Sequence, residues 1–299
     1  MELSEAKGRL MAIGGGDLTK DGAPLLKEFV KLARGPRARV VVMTPATDDP
    51  EAAAKEYEQA FKQLGVDDVR TVDVSARSDA ARPEALEAIE RATGLFFTGG
   101  DQLHITSLIG GSEMQKLIFK RYEKGLVVGG TSAGAAMMSN SMILGGGGEE
   151  SPKVGGVRIG PGMDLLVGAV IDTHFFQRGR FGRLLAATSH YPQDLGLGLD
   201  EETAMVIRGT EFEVFGRGGV TVIDAGSMSY TSLPYVEEGE AISVFGVQVH
   251  VLSAGHKFDL ANRRPVIEEG EAVKRGQVSE SEGPKESKKP RAGKKSKGK

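Results

Sequence analysis

Residues Leu126-Val-Val-Gly-Gly-Thr-Ser-Ala-Gly-Ala-Ala136 contain the pattern from which the fold can be worked out. Residues 126–128 form a short apolar run, which is typical of a strand buried on both faces. From Ala135 onward, Ala-Ala-Met-Met indicates the beginning of a helix. A strand, a tight glycine-rich turn and a helix in this order expose one residue at the top of the turn. That residue is Ser132.

The turn itself, Gly130-Thr-Ser-Ala-Gly134, matches the G-x-S-x-G pattern of a nucleophile elbow. Small residues on both sides of the serine allow the backbone to turn sharply. The turn also directs the backbone N–H of Ala133 toward a developing oxyanion, where the helix dipole adds to the attraction. An ordinary glycine-rich turn can carry the same five residues by chance, but the flanking strand and helix favour a nucleophilic serine.

Apolar segments alternate with helical segments on the N-terminal side of this turn. The predicted strands are residues 9–13, 39–44, 69–74, 95–98 and 126–128, and the predicted helices are 24–32, 51–64, 83–92 and 112–124. The strands are apolar throughout, as expected of a parallel sheet with helices on both faces. We therefore predict an α/β fold with a doubly wound, mostly parallel sheet.

Glycine clusters follow three of the predicted strands, at Gly14-Gly-Gly16, Gly99-Gly100 and Gly129-Gly130. Ligands of such sheets bind outside the carboxyl ends of the strands, so these clusters mark the functional edge. The first cluster lacks the G-x-G-x-x-G pattern that opens a helix in dinucleotide-binding folds. We interpret it as a close-packed loop beside the site.

The C-terminal half has a different character. It begins with a glycine-rich loop at 145–152, followed by a strand at 165–171, a helix at 178–190 and a strand at 195–199. The later segments 203–208, 211–215, 219–224, 243–252 and 256–259 are short and β-rich, which predicts antiparallel β-hairpins that close the sheet. We predict a single catalytic domain over residues 1–275.

Composition excludes several classes of site. The chain has 299 residues, 39% of them apolar and 26% charged, and it contains no cysteine. Disulfides, thiolate metal sites and a thiol nucleophile are therefore excluded. No apolar run approaches the roughly 20 residues that span a bilayer. The N-terminus does not resemble a secretory signal, so we expect a cytoplasmic protein without membrane contact.

The charge is unevenly distributed along the chain. The net charge of −3 divides into +7 for residues 285–299 and −10 for the rest of the chain. Basic ends rich in Lys, Ser, Gly and Pro are usually disordered, so we predict a basic disordered tail at 276–299. An acidic body is not typical of a nucleic-acid-binding domain, and we do not expect nucleic acid as a partner. It favours the approach of a cationic substrate.

A nucleophilic serine needs a base, and that base needs an orienting carboxylate. Five histidines are available: His104, His174, His190, His250 and His256. Among them, His174 alone comes just after a strongly apolar strand, at the edge where Ser132 is expected. We therefore predict that Ser132 and His174 meet at one rim of a single sheet, although a lone histidine after a strand is often structural.

The residues alone leave two positions for the carboxylate. Glu150, or its neighbour Glu149, lies on the glycine loop between Ser132 and His174, which gives the order Ser, Glu, His. Glu201 also follows a strand and is the alternative. Each of these glutamates could instead be a solvated surface acid.

Three arginines, Arg178, Arg180 and Arg183, have two interpretations. They can form forks that bind carboxylates of a substrate rich in aspartate. Alternatively, they can line a solvated helix face or pair with acids such as Asp172 and Asp194. No metal site or cofactor is predicted, because H-x-x-x-H and H-E-x-x-H patterns are absent.

Four blocks of sequence together resemble the cyanophycinases. They are Phe97-Thr-Gly-Gly-Asp-Gln102, Gly130-Thr-Ser-Ala-Gly-Ala135, Asp172-Thr-His-Phe-Phe-Gln-Arg-Gly-Arg-Phe-Gly-Arg183 and Gly198-Leu-Asp-Glu-Glu-Thr203. The similarity extends over roughly residues 8–260. Cyanophycinases belong to a serine peptidase group that also contains aspartyl dipeptidases of the dipeptidase E type. The resemblance implies a fold like the class I glutamine amidotransferase domain, which is flavodoxin-like, and a homodimer.

The resemblance also implies roles for individual residues. Ser132 would be the nucleophile and His174 the base, with Glu150 as the first choice for the orienting acid. The oxyanion would lie on the N–H groups of Ala133 and Gly100. The substrate pocket would contain Gln102, Asp172, Arg178, Arg180, Arg183 and Glu201. Thr173 departs from the family, in which glutamine is expected, and this leaves the fine substrate preference open.

The implied activity is hydrolysis of cyanophycin, a poly-aspartate with arginine on each side-chain carboxyl, to β-Asp-Arg dipeptides through an acyl-enzyme on Ser132. The main alternative is an α-aspartyl dipeptidase of the dipeptidase E type. The other alternative is a catalytically silent protein that keeps the sheet and binds nucleic acid through its basic tail, but such a protein has no use for an elbow serine and a strand-end histidine.

Overall fold

A computed structural model describes residues 6–20, 23–147 and 151–267 of the chain. Residues Met1–Pro265 form one compact unit, and the second unit, Val266–Lys299, is described only at Val266 and Ile267. The glutamates at 149 and 150 and the predicted tail at 276–299 lie outside the described residues. No helix among the described residues is long and apolar enough to cross a membrane.

The chain begins with an alternation of strands and helices and continues mostly with strands. The strands are β1 (Arg9–Ile13), β2 (Arg39–Met43), β3 (Asp68–Val72), β4 (Gly94–Phe97), β5 (Val127–Thr131), β6 (Ser141–Gly146), β7 (Val157–Pro161), β8 (Ala169–Asp172), β9 (Leu195–Leu199), β10 (Thr203–Arg208), β11 (Glu211–Gly216), β12 (Gly219–Asp224), β13 (Tyr230–Thr231), β14 (Val244–Phe245), β15 (Gln248–Ser253), β16 (Lys257–Asp259) and β17 (Arg264–Val266).

The helices are α1 (Pro24–Leu32), α2 (Pro50–Gln63), α3 (Pro83–Arg91), α4 (Gln102–Ile109), α5 (Glu113–Glu123), α6 (Ala133–Ala136) and α7 (Phe181–His190). The first three begin with proline. An N–H in the first turn of a helix has no acceptor within the helix, so the N–H that proline lacks is not missed there. The Asp49 carboxylate accepts a hydrogen bond from Ala52 N at 3.0 Å and so caps α2. The sequence predicted the first five strands and the helices α1, α2, α3 and α5 to within a few residues.

The large sheet has the strand order β17-β16-β11-β10-β1-β5-β4-β2-β3. The five strands from β1 to β3 in this order pair in parallel, whereas β10, β11 and β16 extend the sheet antiparallel beyond β1. This confirms the predicted α/β fold with a mostly parallel sheet and antiparallel strands from the C-terminal half.

A second sheet, with the order β15-β12-β9-β8, corrects the prediction of a single sheet. Strands β8 and β9 pair in parallel, and β12 and β15 add to β9 antiparallel. The sequence did not distinguish the two sheets, because a buried strand is apolar on both faces whichever sheet it joins. Consequently, Ser132 follows a strand of one sheet and His174 follows a strand of the other.

The core lies on both faces of the large sheet. Alternate residues of β1 point to opposite faces: Leu10 and Ala12 join the cluster that contains α3, α4, α5 and the second sheet, and Met11 and Ile13 join the cluster that contains α1. A third, smaller cluster lies between the second sheet and α7. The two sheets pack against each other through the first, large cluster. This packing fixes the positions of the strand ends that carry the candidate catalytic residues.

The sequence analysis missed helix α4, the strands β6 and β7, and the short strands β13 and β17. Helix α4 follows the Gly99-Gly100 turn and is capped by the Asp101 carboxylate, which accepts from Leu103 N at 2.8 Å. A hairpin of β6 and β7 occupies part of the region that was predicted as a flexible loop. In addition, α7 begins at Phe181 and not at residue 178, because residues 175–180 form a turn in which Arg180 N donates to Phe175 O.

Candidate active site

The candidate nucleophile, Ser132, lies at the junction of β5 and α6 in a backbone conformation that side chains rarely adopt. Its φ is +52° and its ψ is −112°. Such strain persists only where the surrounding structure imposes it. The turn around Ser132 is closely packed: a Cβ on Gly130 would lie 2.5 Å from the carbonyl carbon of Gly134, and a Cβ on Gly134 would lie 2.8 Å from Cβ of Phe97. At Gly130 and Gly134 there is therefore no space for any side chain larger than that of glycine.

His174 lies two residues beyond β8, and its imidazole reaches the serine. Its Nε2 is 2.9 Å from Oγ of Ser132, although the two residues are 42 positions apart in sequence. The backbone N–H of His174 donates to the carbonyl oxygen of Gly14 at 2.7 Å. This bond ties the histidine, which belongs to the second sheet, to the loop after β1 of the large sheet.

Glu201 lies two residues beyond β9 and contacts the other side of the imidazole. Its Oε1 is 2.6 Å from Nδ1 of His174. The predicted first choice for this contact was Glu150, which lies outside the described residues. Because Nδ1 carries at most one hydrogen, the Glu201 contact occupies the position that was predicted for Glu150. The sequence had placed Glu201 in the substrate pocket, with orientation of the histidine as the alternative.

Strand order explains why these three residues meet. Strands β8 and β9 are parallel neighbours, so the residues that follow them, His174 and Glu201, emerge side by side. In the large sheet, Ile13 of β1 pairs with Thr131 of β5, so the Gly14–Gly16 loop begins beside Ser132. Glu202 N donates to Gly15 O at 2.9 Å, which ties this loop to the acid as well. The prediction of a close-packed loop beside the site is confirmed.

The environment of His174 favours the neutral imidazole. Burial lowers its pKa, the hydrogen bond with Glu201 raises it, and the positive charge of Arg178 lowers it further. A neutral imidazole that donates from Nδ1 to Glu201 leaves the Nε2 lone pair directed at Ser132. This is the protonation state that a general base requires.

The predicted oxyanion donors lie on the other side of Ser132. The N–H of Ala133 begins α6, and Gly99, next to Gly100, is close enough that a Cβ on it would lie 3.5 Å from Cβ of Ser132. Neither Ala133 N–H nor Gly100 N–H has a hydrogen-bond acceptor among the described residues. Gly100 has a φ of +137°, and a Cβ there would lie 2.8 Å from Thr47 N, so only glycine fits.

The residues predicted to bind substrate fall into two groups. Asp172 is only 2% exposed, and its carboxylate binds Arg183 through Nε at 2.7 Å and through Nη2. Arg180 Nη1 lies 3.4 Å from the same carboxylate and donates to Thr173 O at 2.6 Å. The carboxylate of Asp172, which was predicted to lie in the substrate pocket, is therefore buried and bound by arginine side chains. The alternative interpretation of these arginines as partners of Asp172 is correct for Arg180 and Arg183.

The other group retains contact with solvent. Arg178 is exposed, and its charge acts on His174. Gln102 is half-buried and donates from Nε2 to Ile143 O at 2.5 Å, which holds the β6–β7 hairpin against the turn that contains Gly100. Among the described residues, no group of three or more His, Asp and Glu side chains is arranged to hold a metal ion.

Sequence reasoning missed two supporting residues. Gln177 accepts a hydrogen bond from Glu201 N at 3.1 Å through its Oε1, and so helps to hold the acid. Gly15 makes room for the imidazole, since a Cβ on it would lie 2.6 Å from His174 Nε2. The glycine run at 14–16 was the available signal for Gly15, and the block 172–183 that carries the family resemblance was the signal for Gln177.

Known proteins resemble the chain over most of its length. Residues 10–215 match peptidase family S51. The chain is 36% identical over 256 residues to a cyanophycinase of Synechococcus elongatus, which covers 85% of this chain and 80% of that protein. It is 33% identical over 259 residues to a cyanophycinase of Geminocystis herdmanii, with 86% and 95% covered.

A solved structure has the same fold. The crystal structure of a peptidase from an acI-B1 Actinobacterium superposes with a TM-score of 0.62 at 20% identity, and the match covers 86% of this chain and 98% of that one. The matched range, residues 10–215, spans Ser132, His174 and Glu201. The chain belongs to peptidase family S51.

Proposed function

We propose that this chain is a cyanophycinase, a serine exopeptidase that hydrolyses cyanophycin to β-Asp-Arg dipeptides. The observation that carries the proposal is the hydrogen-bonded series Ser132 Oγ, His174 and Glu201, with contacts of 2.9 and 2.6 Å. The relatives that cover most of the chain are cyanophycinases, which supports cyanophycin, multi-L-arginyl-poly-L-aspartate, as the substrate.

In the first half of the proposed reaction, Ser132 Oγ attacks the carbonyl carbon of the scissile amide while its proton moves to Nε2 of His174. The imidazolium that forms is stabilised by the Glu201 carboxylate on Nδ1. The tetrahedral intermediate collapses when Nε2–H gives its proton to the departing amine. The C–N bond breaks, and an ester links the acyl group to Ser132.

In the second half, water takes the place of the amine. His174, neutral again, removes a proton from the water as the oxygen attacks the ester carbonyl carbon. The second intermediate collapses as Nε2–H of His174 gives its proton to Ser132 Oγ; the ester C–O bond breaks and the acid product leaves. The chemistry balances with water as the only co-reactant.

The developing negative charge requires donors fixed in advance. We assign this role to Ala133 N–H and Gly100 N–H, whose lack of acceptors among the described residues leaves them available for the carbonyl oxygen. Loss of one such donor typically costs about 100- to 1,000-fold in rate. The α6 helix has a single turn, so the local N–H of Ala133 matters more than a helix dipole.

For substrate binding, we assign direct contact to Arg178 and Gln102, whose side chains reach solvent. Arg178 suits the carboxylates of an aspartate-rich substrate. Asp172, Arg180 and Arg183 act instead as a buried ion cluster that positions the segment leading to His174. Glu201 serves in orienting the histidine.

The fold also supports a finer classification, which we infer as class I glutamine amidotransferase-like. Strands β3-β2-β4-β5 follow the 2-1-3-4 order of flavodoxin-like sheets, and β1 takes the fifth place. We further propose that residues 1–275 are the catalytic part, that two chains form a homodimer and that the enzyme acts in the cytoplasm. Sedimentation of the purified chain tests the dimer.

The decisive experiment is incubation of the purified chain with insoluble cyanophycin, followed by mass detection of β-Asp-Arg. We expect release by the wild type and none by Ser132→Ala, with both proteins showing the same circular dichroism. Asp-Xaa dipeptides are assayed in parallel. Hydrolysis of the dipeptides without attack on cyanophycin would replace this proposal by an α-aspartyl dipeptidase, and full activity of Ser132→Ala would end both.

A further inference from the structure

A cavity of about 100 Å³ lies beside the candidate active site and has no part in the chemistry described above. A cavity needs about 10–15 Å³ of such space to admit one water, so this cavity is several times larger than a single water requires. A narrow, extended side chain such as that of arginine can enter a space of this size. Leu18, Pro24 and Leu25 supply apolar lining of the kind that packs against a methylene chain.

The cavity is connected to the catalytic residues by the chain itself. Gly15 packs on the imidazole of His174, and Asp17, two residues later, lines the cavity. Consecutive Cα atoms are about 3.8 Å apart, so Asp17 begins within about 8 Å of Gly15. On the other side, Glu202 lines the cavity and is the immediate neighbour of Glu201.

The walls of this cavity are held in fixed conformations. Glu202 has a φ of +52°, which is uncommon for a residue with a side chain. Gly216 has a φ of +108°, and a Cβ on it would lie 2.9 Å from Cα of Thr203, so the backbone at Glu202 and Thr203 packs directly against the end of β11. Strained and close-packed backbone of this kind is frequent where a binding site is preformed.

Charges of both signs line the cavity in matched pairs. Asp17 pairs with Lys20 at 2.6 Å, and Glu202 pairs with Arg217 at 3.2 Å. The hydrogen bond from Lys20 lowers the pKa of Asp17, so this carboxylate is ionised. Exposed ion pairs contribute little to stability, and exchanging one partner for a charged ligand therefore costs little. The lining suits a ligand that carries one positive and one negative group.

We propose that this cavity is a subsite for the arginine branch of an aspartyl residue next to the scissile bond. The arginine branches of cyanophycin have their α-amino group in an amide, so each retains a guanidinium and an α-carboxylate. Glu202 and Asp17 bind the guanidinium, and Arg217 binds the α-carboxylate. The identity of the ligand rests on the proposed function, whereas the charge pattern and the position of the cavity do not.

Binding to the full-length Ser132→Ala chain tests the subsite without turnover. The probes are the peptide (β-Asp-Arg)3 and the same peptide with citrulline, which replaces the guanidinium by a neutral urea of similar shape. In this background we expect Glu202→Gln to weaken binding of the arginine peptide about tenfold and to leave the citrulline peptide unchanged, measured by calorimetry. The matched control is Glu87→Gln, which removes a surface acid paired with Arg91 at 2.8 Å and should change neither.

Two further variants separate a subsite from a disturbance of Glu201. Asp17→Asn lies on a different loop and should give the same selective loss for the arginine peptide. Arg217→Gln should weaken the arginine peptide and not its argininamide counterpart, which lacks the α-carboxylates. Equal losses for the arginine and citrulline peptides, or no loss in Glu202→Gln and Asp17→Asn, would overturn the subsite.

The same set separates this inference from the proposed function. Selective binding by Ser132→Ala, together with no release of β-Asp-Arg from cyanophycin by the wild type, would keep the subsite and reject the cyanophycinase activity. Release of β-Asp-Arg by a wild type whose Ser132→Ala form binds without selectivity would do the reverse.

Discussion

Gly15 and His174 lie in direct contact: a Cβ built on Gly15 would be 2.6 Å from Nε2 of the imidazole and 2.8 Å from Nδ1. These are the two atoms through which the ring contacts Ser132 and Glu201. The position therefore admits no side chain while the ring stays in place. The loop after β1 forms one wall of the catalytic site. The imidazole of His174 leaves no space for a side chain at position 15 of this loop, so only glycine fits there.

Gly15→Ala is therefore expected to lower kcat by about 100-fold or more, because a displacement of about 1 Å in a catalytic group can cost this much. The matched control is Gly65→Ala. Gly65 also has positive φ, at +83°, but a Cβ there has nothing within 4 Å. Both alanines carry the backbone cost of about 1–2 kcal/mol, measured by urea unfolding, and only Gly15→Ala should lose activity. Equal kcat values for the two variants would contradict the contact as the cause.

Glu201→Gln should lower kcat by about 1,000- to 10,000-fold with little change in stability. The amide retains a hydrogen-bonding side chain but removes the charge, and its NH2 group favours the tautomer that protonates Nε2. The measurement is kcat on a soluble β-aspartyl peptide, with Glu87→Gln as a control for loss of a surface acid. A small effect in Glu201→Gln together with a large loss in Glu150→Gln would return the orienting role to Glu150.

The sequence was informative where a residue's neighbours along the chain determine its structure. Strand, glycine turn and helix around Ser132 are local features, and so is the apolar strand before His174. The pairing of β8 and β9 in a separate sheet is not local, since both strands are apolar and no residue in them indicates which sheet they join. Without that pairing, Glu201 could be named as an alternative for orienting His174 but could not be preferred to Glu150.

The burial of Asp172 explains a second difference between the sequence prediction and the structure. Asp172 lies in a block that resembles a substrate-binding segment, yet its carboxylate is held by Arg183 inside the protein. Spacing alone cannot tell an arginine that binds a ligand from one that binds a buried acid. Helix α4 was missed for a related reason: its segment Gln-Leu-His-Ile-Thr-Ser-Leu-Ile is only partly amphipathic, and the Asp101 cap and tertiary packing establish it.

Asp172→Asn should destabilise the fold by about 3 kcal/mol, because it removes the negative partner of two arginines at a site that is only 2% exposed. The matched control is Asp68→Asn, which removes an exposed acid that lies 3.4 Å from Arg70 and should cost about 0–1 kcal/mol. Urea unfolding followed by circular dichroism gives both values. A loss of substrate affinity in Asp172→Asn without a loss of stability would instead favour direct contact with substrate.

The acid limb of the pH profile tests the state of His174. Because burial and the charge of Arg178 lower the pKa of His174, kcat/KM should fall as pH drops through a value below the usual one of about 6.5. Arg178→Gln removes a positive charge that disfavours the imidazolium, so the pKa rises and the acid limb moves to higher pH. The shift should shrink in high salt, since screening weakens the interaction.

Arg91→Gln, which removes an exposed arginine paired with Glu87, is the matched control and should leave the limb in place. A limb that moves to lower pH in Arg178→Gln would show that the group titrating in this range is not the base facing Ser132.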